Sequence, residues 1–212
     1  MKCLKNKIII FGAGGFSREV YYLCQNVGLV EVVGFISPEE KYKRLDSLPP
    51  VLGKDEDLSM LIETQSINTF VSAVGHSGTR KKCFDNACKF LLKPKNIKHP
   101  SSVILTEIGE SGCIIYPNVS IMNDCSIGKG VLLNCNASIG HDTIIGDFCN
   151  INPGAHIAGK VTIGVGTTIG IGAVVKENIQ IGNNVIIGAG SVVVKDIHDD
   201  QIVYGNPARQ SK

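Results

Sequence analysis

A chain of 212 residues with 43% hydrophobic content is long enough for one large domain or two small ones, each with a real core. Its net charge of +2 is too small to imply nucleic acid or an anionic membrane surface as a partner. Twenty-four glycines, no tryptophan and 6% aromatics point to many turns around a regular, aliphatic core.

The first apolar run, Ile8-Ile9-Ile10-Phe11, is too short for a signal peptide and passes at once into glycine-rich sequence. No run reaches membrane-spanning length. Eight cysteines occur without a CxxC pair. They read as free, mostly buried thiols of a reduced, cytoplasmic protein.

Residues 1–98 alternate between strand and helix patterns. Lys7–Phe11 is a buried strand, and Gly12-Ala13-Gly14-Gly15 is a tight turn. Phe16–Val27 is a helix with Val20, Leu23, Cys24 and Val27 on one face. Val32–Ile36 is a second strand. The basic stretch Lys41-Tyr42-Lys43-Arg44 is a solvated loop, and Pro49-Pro50 marks another. Asp55 starts a helix through Glu63. Ile67–Val74 is a third strand, and Arg80–Leu92 is a helix that ends before Pro94. The order βαβαβα implies a small parallel sheet, a Rossmann-like half domain.

The loop Gly12-Ala13-Gly14-Gly15-Phe16-Ser17 joins a strand to a helix, where backbone N–H groups can cradle a phosphate. The dinucleotide fingerprint needs glycine at its sixth position, here Ser17, and an acid after the second strand, here Ser37. NAD is therefore disfavoured against a mononucleotide or sugar phosphate. A tight turn with no ligand explains the glycines equally well.

His99-Pro100 leads into a second domain, residues 99–212. From Ile115 to Val193 an aliphatic residue recurs every six positions, fourteen times without a break. Four residues after each sits a small or β-branched one, from Val119 through Cys125, Ala137, Thr143 and Cys149 to Ser191. A six-residue period excludes an amphipathic helix and specifies a parallel β-helix. Each unit supplies a short strand and a corner. The aliphatic points inward and stacks on its equivalents in neighbouring coils.

Function must then come from outward residues. His76, His99 and His198 lie outside the repeat, whereas His141 and His156 lie within it but in no inward register. Asp142 follows His141. An imidazole supported by a carboxylate suits removal of a proton from an attacking amine or hydroxyl. Adjacent residues in a straight strand face opposite ways, so the pair works only at a corner. A surface histidine beside a solvated aspartate is the alternative.

Residues 7–20, KIIIFGAGGFSREV, carry a further signal with GFI at 34–36, AVG at 73–75, HPSS at 99–102, SIGHDTIIGDF at 138–148 and GNPA at 205–208. Together they resemble a bacterial family of sialic-acid O-acetyltransferases and nucleotide-amino-sugar N-acetyltransferases. The resemblance implies a left-handed β-helix with about three hexapeptides per coil. It also implies a homotrimer with active sites between neighbouring subunits, and acetyl transfer from acetyl-CoA to a nucleotide-linked sugar in surface glycan biosynthesis. On that resemblance His141 is the general base and Asp142 its support. Gly14, Gly15 and Phe16 contact the nucleotide. Ile171 and Ala189 follow the pantetheine of coenzyme A.

Two positions depart from the family pattern. Asn150 stands where many relatives carry histidine near the thioester, and Ser37 where many carry aspartate beside the uracil. Asn150 retains a hydrogen-bond donor for a developing oxyanion but cannot carry a proton. O-acetylation of sialic acid is the rival within enzymes. A metal hydratase needs three converging histidines, and the repeat offers two in different registers, so no metal is expected. A non-catalytic trimeric scaffold is the third reading.

Overall fold

The computed structural model describes residues 6–28, 30–38 and 48–210. The basic stretch 41–44 lies outside the described residues. The chain divides into two compact units, Met1–Ile97 and Lys98–Lys212.

The first unit contains β1 (Asn6–Phe11), α1 (Gly15–Val27), β2 (Val30–Ile36), β3 (Val51–Gly53), α2 (Leu58–Gln65), β4 (Thr69–Ser72), α3 (Ser77–Lys89) and β5 (Lys93–Pro94). The strands form one parallel sheet in the order β3-β2-β1-β4-β5. Ile8, Ile9, Ile10 and Phe11 of the central strand are all buried. A strand covered on both faces reads as a continuous apolar run, which is why β1 shows no alternation.

Several boundaries differ from the sequence expectation, each for a local reason. Helix α1 buries Ser17, Val20, Leu23 and Cys24, while Val27 in its last turn is only half-buried. It stops at Gly28, whose φ of 71° no ordinary side chain adopts easily. Helix α3 begins at Ser77, three residues early, because His76 caps it: the Thr79 N–H donates to His76 Nδ1 at 3.2 Å. β4 is shorter than expected. Val74 already belongs to the following loop, and its carbonyl accepts from buried Arg80 at 2.9 Å. Asp55 opens a 3-10 turn, Asp55–Asp57, ahead of α2. β3 and β5 went unforeseen, since strands of three and two residues carry too little pattern.

The second unit is a left-handed β-helix. Its two-residue strands pair in parallel with a register of eighteen, so Ser138 faces Ser120 in one coil and His156 in the next. Eighteen residues make three hexapeptides per coil. Thirteen of the fourteen periodic aliphatics are buried, and Ile127, the other, packs half-buried against the same core. The small register is buried throughout, Thr143, Thr167 and Ser191 included. The Cys113, Cys125 and Cys149 thiols point inward and donate to the carbonyls of Gly128, Gly140 and Gly164 at 3.2, 3.1 and 2.9 Å.

A third register emerges at the corners. The third residue after each inward aliphatic from Ile115 to Ile187 has positive φ, from Asn118 (59°) and Asp124 (58°) through Asp142 (57°) to Gly190 (65°). Asn, Asp and Gly hold most of these places because they tolerate the left-handed region. The coils also approach closely. A Cβ at Gly140 would lie 2.5 Å from the Ala158 carbonyl carbon in the next coil.

Candidate functional site

The α/β unit forms a cavity where its strand order turns. β1 has β2 on one side and β4 on the other, and the crevice lies beyond their carboxyl ends. The cavity measures about 340 Å³ and is lined by the loop from Gly12 to Ser17, by Ser37 and Pro38 after β2, by Asp55, and by Ala73–Gly75, Thr79 and Cys83. Gly14, Gly15, Phe16 and Ser37 therefore share one cavity. Gly14 caps α1 without a side-chain hydrogen bond, so the helix presents its N-terminus there.

Ser17, the departure from the dinucleotide fingerprint, has a structural use. Its hydroxyl donates to the Ala73 carbonyl at 2.8 Å, tying α1 to the end of β4. Gly12 beneath it has a φ of 105°, and a Cβ there would lie 2.7 Å from Ser17 Oγ and 2.8 Å from Ala73 O. Asp55 and Cys83 are lining residues that the sequence did not mark as part of a site. Partial burial raises the Asp55 carboxyl above its ordinary range, although a hydrogen bond with Asn86 opposes this. Burial, aided by the nearby Asp55 charge, pushes the Cys83 thiol up to about 11.

In the β-helix, His141 and Asp142 occupy a corner directly after the strand Ser138–Ile139. The left-handed backbone at Asp142 turns its side chain back, and its Oδ2 lies 2.6 Å from His141 Nδ1. Both side chains are about half exposed, 54% and 47%. The pair thus stands at the solvent edge with Nε2 of the ring directed away from the carboxylate. The corner condition set by the sequence is met.

The next coil provides the floor. Gly159 lies eighteen residues on, and a Cβ there would come within 2.6 Å of His141 Nε2 and 2.8 Å of Cε1. The Lys160 N–H donates to the His141 carbonyl at 2.8 Å, locking the two corners together. Gly159 was missed in the sequence. The signal was present, since a glycine one coil above a candidate base leaves room for its ring. His156, in the same sheet, has its Nδ1 2.8 Å from Ser138 Oγ.

The remaining expected contacts lie elsewhere on the prism. Ile171 and Ala189 occupy one corner in successive coils, where the Gly190 N–H donates to the Ile171 carbonyl at 2.8 Å. Both are exposed, Ile171 at 60%. Asn150 lies in the strand stacked between Leu132 and Thr168, and its amide donates to Thr168 Oγ1 at 3.4 Å. Going round a coil, that strand follows the His141 corner by one face and precedes the Ile171 corner. Asn150 is thus on the face opposite the His141 corner, and one chain alone does not unite the two groups. Among the described residues no three His, Cys, Asp or Glu side chains converge as a metal site, and no helix is long and apolar enough to cross a membrane.

Coils of hexapeptides bearing a His–Asp pair on an outer corner, joined to an α/β unit with a glycine-rich cavity, define a hexapeptide-repeat acyltransferase. Residues 7–87 match the PglD N-terminal domain, and residues 124–159 match the bacterial transferase hexapeptide (six repeats). The chain belongs to the PglD-like family of sugar acetyltransferases. Among solved structures it is similar to PerB from Caulobacter crescentus in complex with CoA and GDP-perosamine. That match has 30% identity, 99% coverage of both chains and a TM-score of 0.90. The H141N mutant of perosamine N-acetyltransferase from the same organism, also with CoA and GDP-perosamine, matches at 29% identity over 99% of this chain and 98% of that one, with a TM-score of 0.89. The acetyltransferase domain of PglB from Neisseria gonorrhoeae, in complex with acetyl coenzyme A, matches at 29% identity over 98% of this chain and 100% of that one, with a TM-score of 0.80. No curated protein matches the sequence.

Proposed function

We propose that the protein transfers the acetyl group of acetyl-CoA to the amine of a nucleotide-linked amino sugar, with His141 as general base. The observation that carries this reading is the His141–Asp142 pair, 2.6 Å apart on an exposed corner above Gly159. Asp142 holds Nδ1 protonated, which leaves Nε2 as the acceptor. The amine lone pair attacks the thioester carbonyl while Nε2 takes the amine proton. The tetrahedral adduct then collapses, expelling the CoA thiolate, and the imidazolium returns the proton to sulfur. No cysteine nucleophile is required, and the inward thiols of Cys125 and Cys149 are directed away from such a role.

The nucleotide belongs to the cavity of the α/β unit, its phosphates at the α1 N-terminus beside Gly14, Gly15 and Phe16, with Ser37 further along the wall. The complexes of relatives with CoA and GDP-perosamine support a donor and acceptor of these classes.

Asn150, Ile171 and Ala189 are assigned to the acetyl-CoA groove, with Asn150 donating toward the oxyanion. The position of Asn150 on the face opposite His141, with Ile171 and Ala189 at a different corner, supports a homotrimer, in which a closed three-fold ring sets one subunit's His141 corner beside the next subunit's cofactor groove. Cytoplasmic placement accords with the free thiols of the described residues.

The test is CoA release by wild type and His141→Ala, with amino-sugar nucleotides and sialic acid as separate acceptors. An amino-sugar nucleotide should be the productive acceptor, and the variant should lose at least about a hundredfold in kcat. Variant activity within a few-fold of wild type removes His141 from the mechanism. Release with sialic acid alone reassigns the enzyme to O-acetylation.

A further inference from the structure

We infer that Lys195 holds the diphosphate of the bound CoA donor, three coils beyond the catalytic corner. The inference rests on the acetyl-CoA reading above and assigns a residue to the far end of that donor.

One sheet of the β-helix aligns Ile139, Ile157, Val175 and Val193 in four successive coils. Two residues after each, the same corner therefore carries His141, Gly159, Glu177 and Lys195 in turn. Charge is unevenly distributed along this corner. Toward the amino-terminal coils it carries Asn123 and Asp124, and one coil further Glu107. Toward the carboxyl-terminal coils it gains Lys160, Lys176 and Lys195, one in each coil. The two acids on that side are engaged. Glu177 pairs with Lys176 at 3.8 Å, and Asp196 Oδ1 accepts from the Gln180 N–H at 2.8 Å. Lys160 and Lys195 are exposed, and among the described residues neither forms an ion pair. A phosphate is repelled in the first direction and attracted in the second. A donor with its thioester at His141 therefore extends its anionic end toward Lys195.

Length selects among the lysines. Coils stack at the spacing of paired strands, so Lys160, Lys176 and Lys195 stand about 5, 10 and 14 Å beyond His141 along the prism. The pantetheine arm is long enough to pass the first two. Its thirteen bonds from the thioester sulfur to the first phosphorus equal just over four extended residues, about 15 Å. Lys160 and Lys176 thus lie level with the neutral amides of the arm, and Lys195 lies level with the diphosphate. Ala189, assigned to the cofactor groove on the other corner, stands one hexapeptide before Lys195 in the same coil. The two walls of the groove therefore reach the same height.

The experiment is calorimetric titration of the full-length protein with CoA and with 3′-dephospho-CoA, which keeps the diphosphate. Lys195→Gln keeps the length of the side chain and removes its charge. It should weaken CoA about tenfold, the scale of one charge-assisted hydrogen bond, and weaken 3′-dephospho-CoA equally. Lys195→Arg should restore CoA affinity to within about threefold, since either cation pairs with phosphate. Lys129→Gln, which removes the same charge from another corner, should bind CoA as wild type does. Unchanged CoA affinity in Lys195→Gln overturns the inference. So does an equal loss in Lys129→Gln, which would make the effect one of net charge. A loss seen with CoA but not with 3′-dephospho-CoA also overturns it, by moving Lys195 to the 3′-phosphate. If wild type binds neither ligand, the acetyl-CoA reading fails and this inference falls with it.

Discussion

The Asp142 carboxylate lies 2.6 Å from Nδ1 of His141, the residue immediately before it in the chain. Neighbours in a strand diverge; these two converge because Asp142 has a φ of 57°. In the proposed mechanism this contact holds the proton on Nδ1 and leaves Nε2 as the acceptor. Asp142→Asn keeps the shape but can present its NH2 group to Nδ1 and so favour the wrong tautomer. It should lower kcat by about ten- to hundredfold, with KM for acetyl-CoA within twofold of wild type. Steady-state kinetics decides this, and an unchanged kcat would remove the carboxylate from the mechanism.

Gly159 sets the position of the same ring from the coil beyond. A methyl group there would sit 2.6 Å from Nε2, well inside contact distance. The ring is half exposed and can tilt outward, so the strain relaxes with little loss of stability. Catalysis has less tolerance, since a displacement of about 1 Å can cost a hundredfold. Gly159→Ala should therefore melt within a few degrees of wild type while kcat falls by at least about tenfold. A variant with full activity would show that the ring position seen here does not matter to turnover.

The β-helix was legible in the sequence because its physics is repetitive. Each inward position, such as Ile139 or Ile157, faces the same environment as its equivalents eighteen residues away. The corner register was equally visible but went unread: Asn118, Asp124, Gly130, Asn136 and Asp142 are six apart and share the left-handed backbone. Reading it would have placed Asp142 at a corner and resolved the His141 question. Phe148 and Lys160 blur that register, since they hold the same conformation without the usual side chain. In the α/β unit the helices and the longer strands were readable. Asp55 was not readable as a cavity residue, because its place depends on β3, a three-residue strand whose pairing is long-range. The separation of Asn150 and Ile171 from His141 was likewise hidden. It depends on which of three faces each hexapeptide occupies, a property of the closed coil.

Thiol chemistry offers an independent check on the α/β core. Burial pushes the Cys24 thiol up to about 12, and burial together with the Asp55 charge takes Cys83 to about 11. Only the thiolate alkylates, so at pH 8 roughly one Cys83 in a thousand and one Cys24 in ten thousand is reactive. Cys88 is exposed. Iodoacetamide followed by peptide mass spectrometry should label Cys88 long before Cys24 or the half-buried Cys83. Raising the pH from 8 to 10 should speed Cys83 about a hundredfold, because its thiolate fraction climbs tenfold per unit below its pKa. Labelling of Cys83 at pH 8 as fast as Cys88 would contradict the packing of α3.

Ile157 tests the stack itself. It lies in register between Ile139 and Val175 and is 3% exposed. Ile157→Ala leaves a void that the neighbouring coils cannot close, because their spacing is set by the backbone hydrogen bonds linking each rung to the next. The expected loss is about 2–5 kcal/mol. Val174 belongs to the following rung of the same sheet but points outward at 41% exposure, so Val174→Ala should stay within about 0.5 kcal/mol of wild type. Urea unfolding of the two variants compares inward and outward positions on adjacent rungs. Equal effects would mean that the periodic aliphatics are not what the coils close around. A large gap places the cohesion of each coil in its inward residues and leaves the outward ones free for ligand contacts.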